Sequence, residues 1–236
     1  MQKDELNTIK FAAIICLACS MALAGVQSAL RGIQDENKRI DQQVNVLKAL
    51  LPDFDPEGNP LTEEEQIELF TEGGILKEHK EWISLYFENF VETSDVQLAE
   101  GKSGTLYSLK KGEDLVAVAF PAEGKGLWST VHSYVGLQPD LATIRGVTFF
   151  DHGETPGLGG ECSKPWFQKN FMGKTLWNAD EGPLTLVVAK GKADASSLTQ
   201  VDGMSGATIT GNGIQKFVNS TFRDYNESLF NEKRAL

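Results

Sequence analysis

Cysteine, histidine and positive charge are all in short supply in this chain. Among its 236 residues there are three cysteines and three histidines. Cys16 and Cys19 share an apolar run and Cys162 stands alone, which is too few and too scattered for a disulfide framework or a four-ligand zinc site. No Cys or His stands at metal-site spacing from His132 or His152, so both read as structural side chains and no metal site is expected. Lys and Arg number 22 against 33 Asp and Glu, a net charge of −11, and no basic run occurs. A surplus of carboxylates repels a phosphate backbone and argues against nucleic acid as a partner. What is present, 41% hydrophobic and 9% aromatic residues, is the composition of a folded protein that rests on its core.

Residues 11–30 (FAAIICLACSMALAGVQSAL) carry no charge. A helix needs about 20 apolar residues to cross a bilayer, so this run predicts one membrane-spanning helix behind a short tail, residues 1–10. The rival reading is a cleaved signal peptide, with Lys3 and Lys10 as its basic start and Ala22-Leu23-Ala24 as its cleavage site. Asp4 and Glu5 count against that start, and the apolar pattern continues past Ala24 to Leu30. Basic residues flank both ends, so charge alone does not set the orientation. With no ionisable group inside it, the segment offers no path for an ion. Cys16 and Cys19 read as two small apolar residues of the helix.

Beyond the anchor the patterns predict an α+β fold. Ile33, Ile40, Val44, Leu47 and Leu51 form a helical stripe ended by Pro52. The run 52–60 (PDFDPEGNP) reads as a loop, and Thr62 with Glu65 as a capping box for a short acidic helix stopped by Gly73-Gly74. A further helix is expected over Trp82 to Val91. Residues 31–98 are therefore assigned to a juxtamembrane helix and a helical insertion, and 99–236 to one domain. In that domain, strands are expected at Thr105–Leu109, Leu115–Phe120, His132–Leu137 and Ile144–Phe150, a four-stranded antiparallel meander. A short helix over Trp166–Phe171, a strand over Leu184–Ala189 and a closing helix from Asn212 to about Leu229 complete it. Trp128 and Trp166 read as core aromatics, with stacking on a ligand ring as the alternative.

The segment Asp202 to Gly211 (DGMSGATITG) packs glycines and hydroxyls ahead of the closing helix. Glycines 203 and 206 let backbone approach a ligand, and Thr210 stands where a helix N-cap is expected, so a phosphate there would meet free N–H donors. An ordinary glycine-rich turn with a capping threonine explains the same residues. Neither a Walker loop nor a dinucleotide fingerprint is present. Gly203-Met204-Ser205-Gly206-Ala207 is one glycine short of a nucleophile elbow, but no histidine follows Ser205, and only a trypsin-like order with His132 or His152 remains open. Thr155-Pro156-Gly157 has the residues of a type II turn, with Gly159-Gly160 leaving bare backbone beside Leu158.

The run Ser205-Gly206-Ala207-Thr208-Ile209-Thr210 resembles the signature of the covalent FMN-binding domain. That domain occurs in the C subunit of the Na(+)-translocating NADH:quinone reductase and in the G subunit of the Rnf complex. Gly126-Leu127-Trp128-Ser129 and the run 153–161 (GETPGLGGE) follow the family's order, and the resemblance covers nearly the whole chain. Gly160-Glu161 and the residues between anchor and strands look more like the quinone reductase protein than its Rnf counterpart. The resemblance implies an antiparallel-sheet FMN-binding domain with flanking helices, behind one transmembrane helix. It implies an FMN joined by a phosphoester to Thr210, attached by a separate, Mg2+-dependent flavin transferase that uses FAD. Ser205, Gly206, Ala207, Thr208, Glu154, Thr155, Leu158 and Gly159 would line the flavin site. It implies a one-electron relay without a complete active site of its own, among other membrane subunits, in the cell inner membrane with the flavin domain on the periplasmic side.

Overall fold

The computed structural model describes residues 3–50 and 80–234; the expected loop 52–60, the Thr62–Glu65 capping box and the Gly73-Gly74 stop lie outside them. The chain divides into two units, Met1–Gln42 and Gln43–Leu236. Helix α1 runs unbroken over Lys3–Leu50, so the expected spanning and juxtamembrane helices are one element. No proline interrupts it, and Gly25 and Gly32 are tolerated at a modest propensity cost. Residues 7–39 are exposed, including Phe11, Ile14, Leu17, Met21, Leu23 and Val26. An 18-residue window of mean hydropathy 2.2 within Asn7–Leu50 is long and apolar enough to cross a membrane.

In the second unit, helix α2 (Lys80–Phe90) leads straight into a five-stranded antiparallel meander. Its strands are β1 (Val91–Gln97), β2 (Ser103–Lys111), β3 (Asp114–Lys125), β4 (Thr130–Leu137) and β5 (Ile144–Asp151), in sequence order across the sheet. Four were expected. Strand β1, paired Val91↔Leu109 to Gln97↔Ser103, escaped because its sequence VETSDVQ is polar and edge-like, burying only Val91. The sheet thus begins ahead of residue 99.

Both faces of the sheet are covered, which is why β4 and β5 are buried almost continuously rather than alternately. Helix α4 (Thr208–Tyr225) lays Ile214, Phe217, Val218, Phe222 and Tyr225 on one face, against Phe120, Val131, Val135 and Phe149. Tyr225 stacks on Phe120 with centroids 4.7 Å apart. On the other face, a row of rings joins Phe87 of α2 to Tyr107, Tyr134 and Phe150, at successive centroid distances of 6.0, 5.7 and 5.2 Å. The last turns of α1 close that face: Thr148 donates to the Asn45 carbonyl at 3.2 Å and Arg145 Nε to that of Leu50 at 2.6 Å. A side chain at Gly136 would overlap the Ala49 carbonyl.

The remaining elements are small. Helix α3 occupies Pro165–Lys169, close to expectation, and β6 (Trp177–Asn178) pairs with β7 (Gly182–Pro183). The strand expected over Leu184–Ala189 shrinks to β8 (Val187–Val188), parallel to β9 (Gln200–Val201). Amides of α4 take the place of a neighbouring strand: Asn219 Oδ1 accepts from Leu186 N at 2.8 Å and Gln215 Oε1 from Val188 N at 3.0 Å.

Helix α4 approaches the end of β3 so closely that a Cβ on Gly213 would overlap the Lys125 carbonyl oxygen. Alanine there gains about 1 kcal/mol of helix propensity and meets an overpacking cost of about 1–3 kcal/mol. Gly213→Ala is therefore expected to lower stability by up to about 2 kcal/mol, read as a lower unfolding midpoint in detergent; a higher midpoint would show that the helix can shift off the strand.

Candidate functional site

Three loops meet at the start of α4: residues 126–129 after β3, 153–161 after β5, and 203–207 ahead of the helix. The first is a tight turn closed by Gly126 N donating to the Ser129 carbonyl at 2.8 Å. In the second, Leu158 N donates to the Thr155 carbonyl at 3.1 Å and Gly157 has φ of 76°, which is the type II turn expected from Pro156-Gly157. In the third, Gly206 takes φ of 69°, and its bare Cα lies under Leu158, whose Cδ2 a Cβ would meet at 2.8 Å.

Glu154 ties the three together. It is 5% exposed, and its Oε1 accepts from the backbone of Trp128 at 2.8 Å and Ser129 at 3.2 Å. Its Oε2 accepts from the Thr210 hydroxyl at 2.6 Å. Glycines make room for the carboxylate: a Cβ on Gly126 would come within 2.6 Å of Oε1, and one on Gly159 within 2.5 Å of Oε2 and 2.6 Å of Thr210 Oγ1. Ser129 Oγ adds a bond by accepting from Gly153 N at 2.5 Å. Burial pushes the Glu154 pKa up, but the Thr210 hydroxyl and the N–H groups of Trp128, Ser129 and Leu127 outweigh it and hold the carboxyl below the ordinary range.

Thr210 is not the N-cap. Helix α4 begins at Thr208, the cap position is Ala207 and no side chain caps it. The first i→i−4 bond runs from Gly211 N to the Ala207 carbonyl at 2.9 Å, so the amides of Thr208, Ile209 and Thr210 precede the helical ladder. Thr210 sits in the first turn, 1% exposed, with its hydroxyl spent on Glu154. The amides and the helix dipole still favour an anion there.

Of the other expected site residues, Gly159 touches the Glu154–Thr210 pair and Leu158 meets Gly206. Ala207 is buried, while Ser205, Thr208 and Thr155 face solvent. Trp128 and Trp166 are 71% and 44% exposed, so neither is a core aromatic; Trp166 Nε1 donates to Glu161 Oε2 at 2.9 Å. Leu127, Leu158 and Ile209 are exposed as well, each next in sequence to a residue that touches the pair, and exposed apolar side chains near amides outside the helical ladder suit a flat ring with an anionic tail. Leu127 and Ile209 were not among the expected site residues, and Trp128 was named only as an alternative stacking partner, because nothing in a sequence says which apolar residues a fold leaves uncovered. His152 Nδ1 accepts from Glu154 N at 3.3 Å and His132 Nδ1 lies 2.7 Å from Glu123 Oε2. Among the described residues, neither histidine hydrogen-bonds Ser205.

The depressed Glu154 carboxyl carries a pH signature. Its folded pKa lies below the unfolded value of about 4.3, so its stabilisation is present above that value and is lost as pH falls through the folded one. Glu154→Gln should flatten the acid limb of the stability curve, measured as unfolding midpoint against pH from about 7 downward over about three units. Parallel curves for both proteins would show that the carboxylate is not held by these bonds.

The FMN-binding domain model matches residues 126–223, from the first of the three loops into α4. The C subunit of the Na(+)-translocating NADH-quinone reductase of Yersinia pestis is 30% identical over 240 residues, covering 90% of this chain and 86% of that one. The equivalent protein of Neisseria meningitidis serogroup A is 34% identical over 229 residues, covering 90% and 88%. The crystal structure of the Parabacteroides distasonis C subunit superposes with a TM-score of 0.64 at 26% identity, covering 85% of this chain and 96% of that one. That of Shewanella oneidensis NqrC gives 0.65 at 23% identity, covering 84% and 99%. Relatives of this identity over most of the chain place it with the reductase subunits, against the Rnf-type and Ser205 hydrolase readings. The chain belongs to the family of C subunits of the Na(+)-translocating NADH-quinone reductases.

Proposed function

We propose that this chain is a membrane-anchored electron carrier of a multisubunit Na(+)-translocating NADH:quinone reductase, holding one FMN through a phosphoester to Thr210. The observation that carries this reading is the position of Thr210, a hydroxyl in an uncapped first helical turn where the loops of the FMN-binding domain meet. The amides of Thr208 and Ile209 would donate to the phosphate, with Gly206 and Ser205 beside it. Leu127, Trp128, Leu158 and Ile209 would lie against the apolar ring, and Thr155 and Gly159 would border it. The flavin supplies the one-electron chemistry; the protein orients the ring, excludes water from one side and fixes the charge near it.

Residues 11–30 of α1 would anchor the chain in the cell inner membrane, with the flavin domain on the periplasmic side. Electrons would pass to and from other membrane subunits of the complex, which would also carry the ion. Attachment would be the work of a separate flavin transferase using FAD. A covalent link keeps the carrier on the protein in every redox state, which suits a relay that exchanges electrons but never product.

Thr210→Ala should leave a folded but less stable protein whose denatured band has lost flavin fluorescence, because the acceptor oxygen is gone and one hydrogen bond to a buried carboxylate, about 1.5–3 kcal/mol, is removed. Thr210→Ser should keep part of the label, since the same oxygen can reach Glu154. Both are read on protein matured beside the transferase, by in-gel fluorescence and peptide mass. A flavin peptide that persists in Thr210→Ala would place the attachment elsewhere.

A further inference from the structure

We propose that Glu154 is the residue that takes the proton from Thr210 when the flavin is attached. This rests on the phosphoester reading above and adds a catalytic group to it, supplied by the acceptor protein rather than by the transferase. One chemical requirement and three features of the site point to it. A threonine hydroxyl is a poor nucleophile unless a base receives its proton as the new bond forms. Glu154 Oε2 lies 2.6 Å from Oγ1, within the range of a hydroxyl donating to a charged carboxylate. Oε1 is held by the Trp128 and Ser129 amides, so the carboxylate cannot rotate away from the hydroxyl. The carboxyl is ionised at neutral pH and so can accept, while the bonds that lower its pKa also make it a weaker base than a free carboxylate.

The step balances in atoms and in charge. Thr210 Oγ1 attacks the flavin-side phosphorus of FAD, the Oγ1–P bond forms, the P–O bond of the diphosphate breaks and AMP departs. The proton of Oγ1 passes to Glu154 Oε2. One negative charge stood at the buried pair before, on the carboxylate; one stands there after, on the phosphodiester, facing a neutral acid. Without that transfer two anions would share a site where Glu154 is 5% exposed, a like-charge arrangement that burial makes costly. The protonated Glu154 can instead donate to a phosphate oxygen. Phosphoryl transfer to hydroxyls elsewhere uses a carboxylate in the same way, as a proton acceptor beside the acceptor oxygen. Because Thr210 is 1% exposed, the reaction also requires the Leu158–Gly159 turn to move off the hydroxyl first.

The test is the single-turnover rate of covalent labelling of the full chain in detergent, with excess flavin transferase, FAD and Mg2+. Glu154→Gln retains an oxygen for the Trp128 and Ser129 amides and turns its NH2 toward Thr210, which keeps the loops tied but removes the base. It should label at least about 100-fold more slowly than wild type. Glu154→Ala should be slowed similarly and should recover with added formate, a small carboxylate that fits the space vacated. A Gln variant labelling within about tenfold of wild type overturns the proposal. So does an Ala variant that is slow and indifferent to formate, which would make Glu154 a strut only. If either variant fails to fold, Glu154→Asp, which retains a carboxylate, replaces it, and labelling restored by Asp but not by Asn supports the role while equal rates for the two overturn it. Failure of the attachment reading looks different: wild-type label mapped to a peptide without Thr210, or label persisting in Thr210→Ala.

Discussion

A buried carboxylate with both oxygens engaged is the constraint around which this site is organised. Taking an ion such as Glu154 out of water costs several kcal/mol, and only well-aligned donors offset that. The donors come from far apart in the chain: Trp128 stands 26 residues away in sequence and Thr210 56. The bonds therefore exist only once β3, β5 and the start of α4 are in their final places. Gly126 and Gly159 are the accompanying condition, since a methyl at either position would push into the carboxylate. The same requirement explains why α4 is pressed against the end of β3, with Gly124 under Phe217 and Gly213 over the Lys125 carbonyl.

Much of this architecture is legible in the sequence because it follows local rules. The meander from Ser103 to Asp151 shows itself through β-branched and apolar runs separated by turn residues, and the type II turn at Pro156-Gly157 through its composition. The apolar stripe Ile214, Phe217, Val218, Phe222, Tyr225 shows itself through its spacing. What escapes depends on tertiary contact. Strand β1 has no apolar pattern of its own and exists because β2 offers a ladder. The Leu184–Ala189 run has the composition of a strand, yet the amides of Asn219 and Gln215 on a helix satisfy its backbone.

The site follows the same division. Its residues can be named from the signature Ser205 to Thr210 and from the run 153–161, but not their roles. Thr210 has the side chain of an N-cap and stands where one belongs by composition; the cap position simply falls three residues earlier, at Ala207, and the hydroxyl turns inward to Glu154 rather than back to the chain. A carboxylate paired with a hydroxyl across 56 residues leaves no trace in spacing. Trp128 belongs by type in a core and is 71% exposed, a departure of the kind that functional surfaces produce.

The exposed apolar side chains near the Glu154–Thr210 pair carry a cost in water. Leu127, Trp128, Leu158 and Ile209 present apolar surface to water, and a net charge of −11 on each chain opposes its burial against a second copy. Salt weakens that repulsion over a Debye length of about 8 Å at physiological ionic strength. A flat ring held there, as proposed above, would cover part of that surface and lessen the dependence on charge.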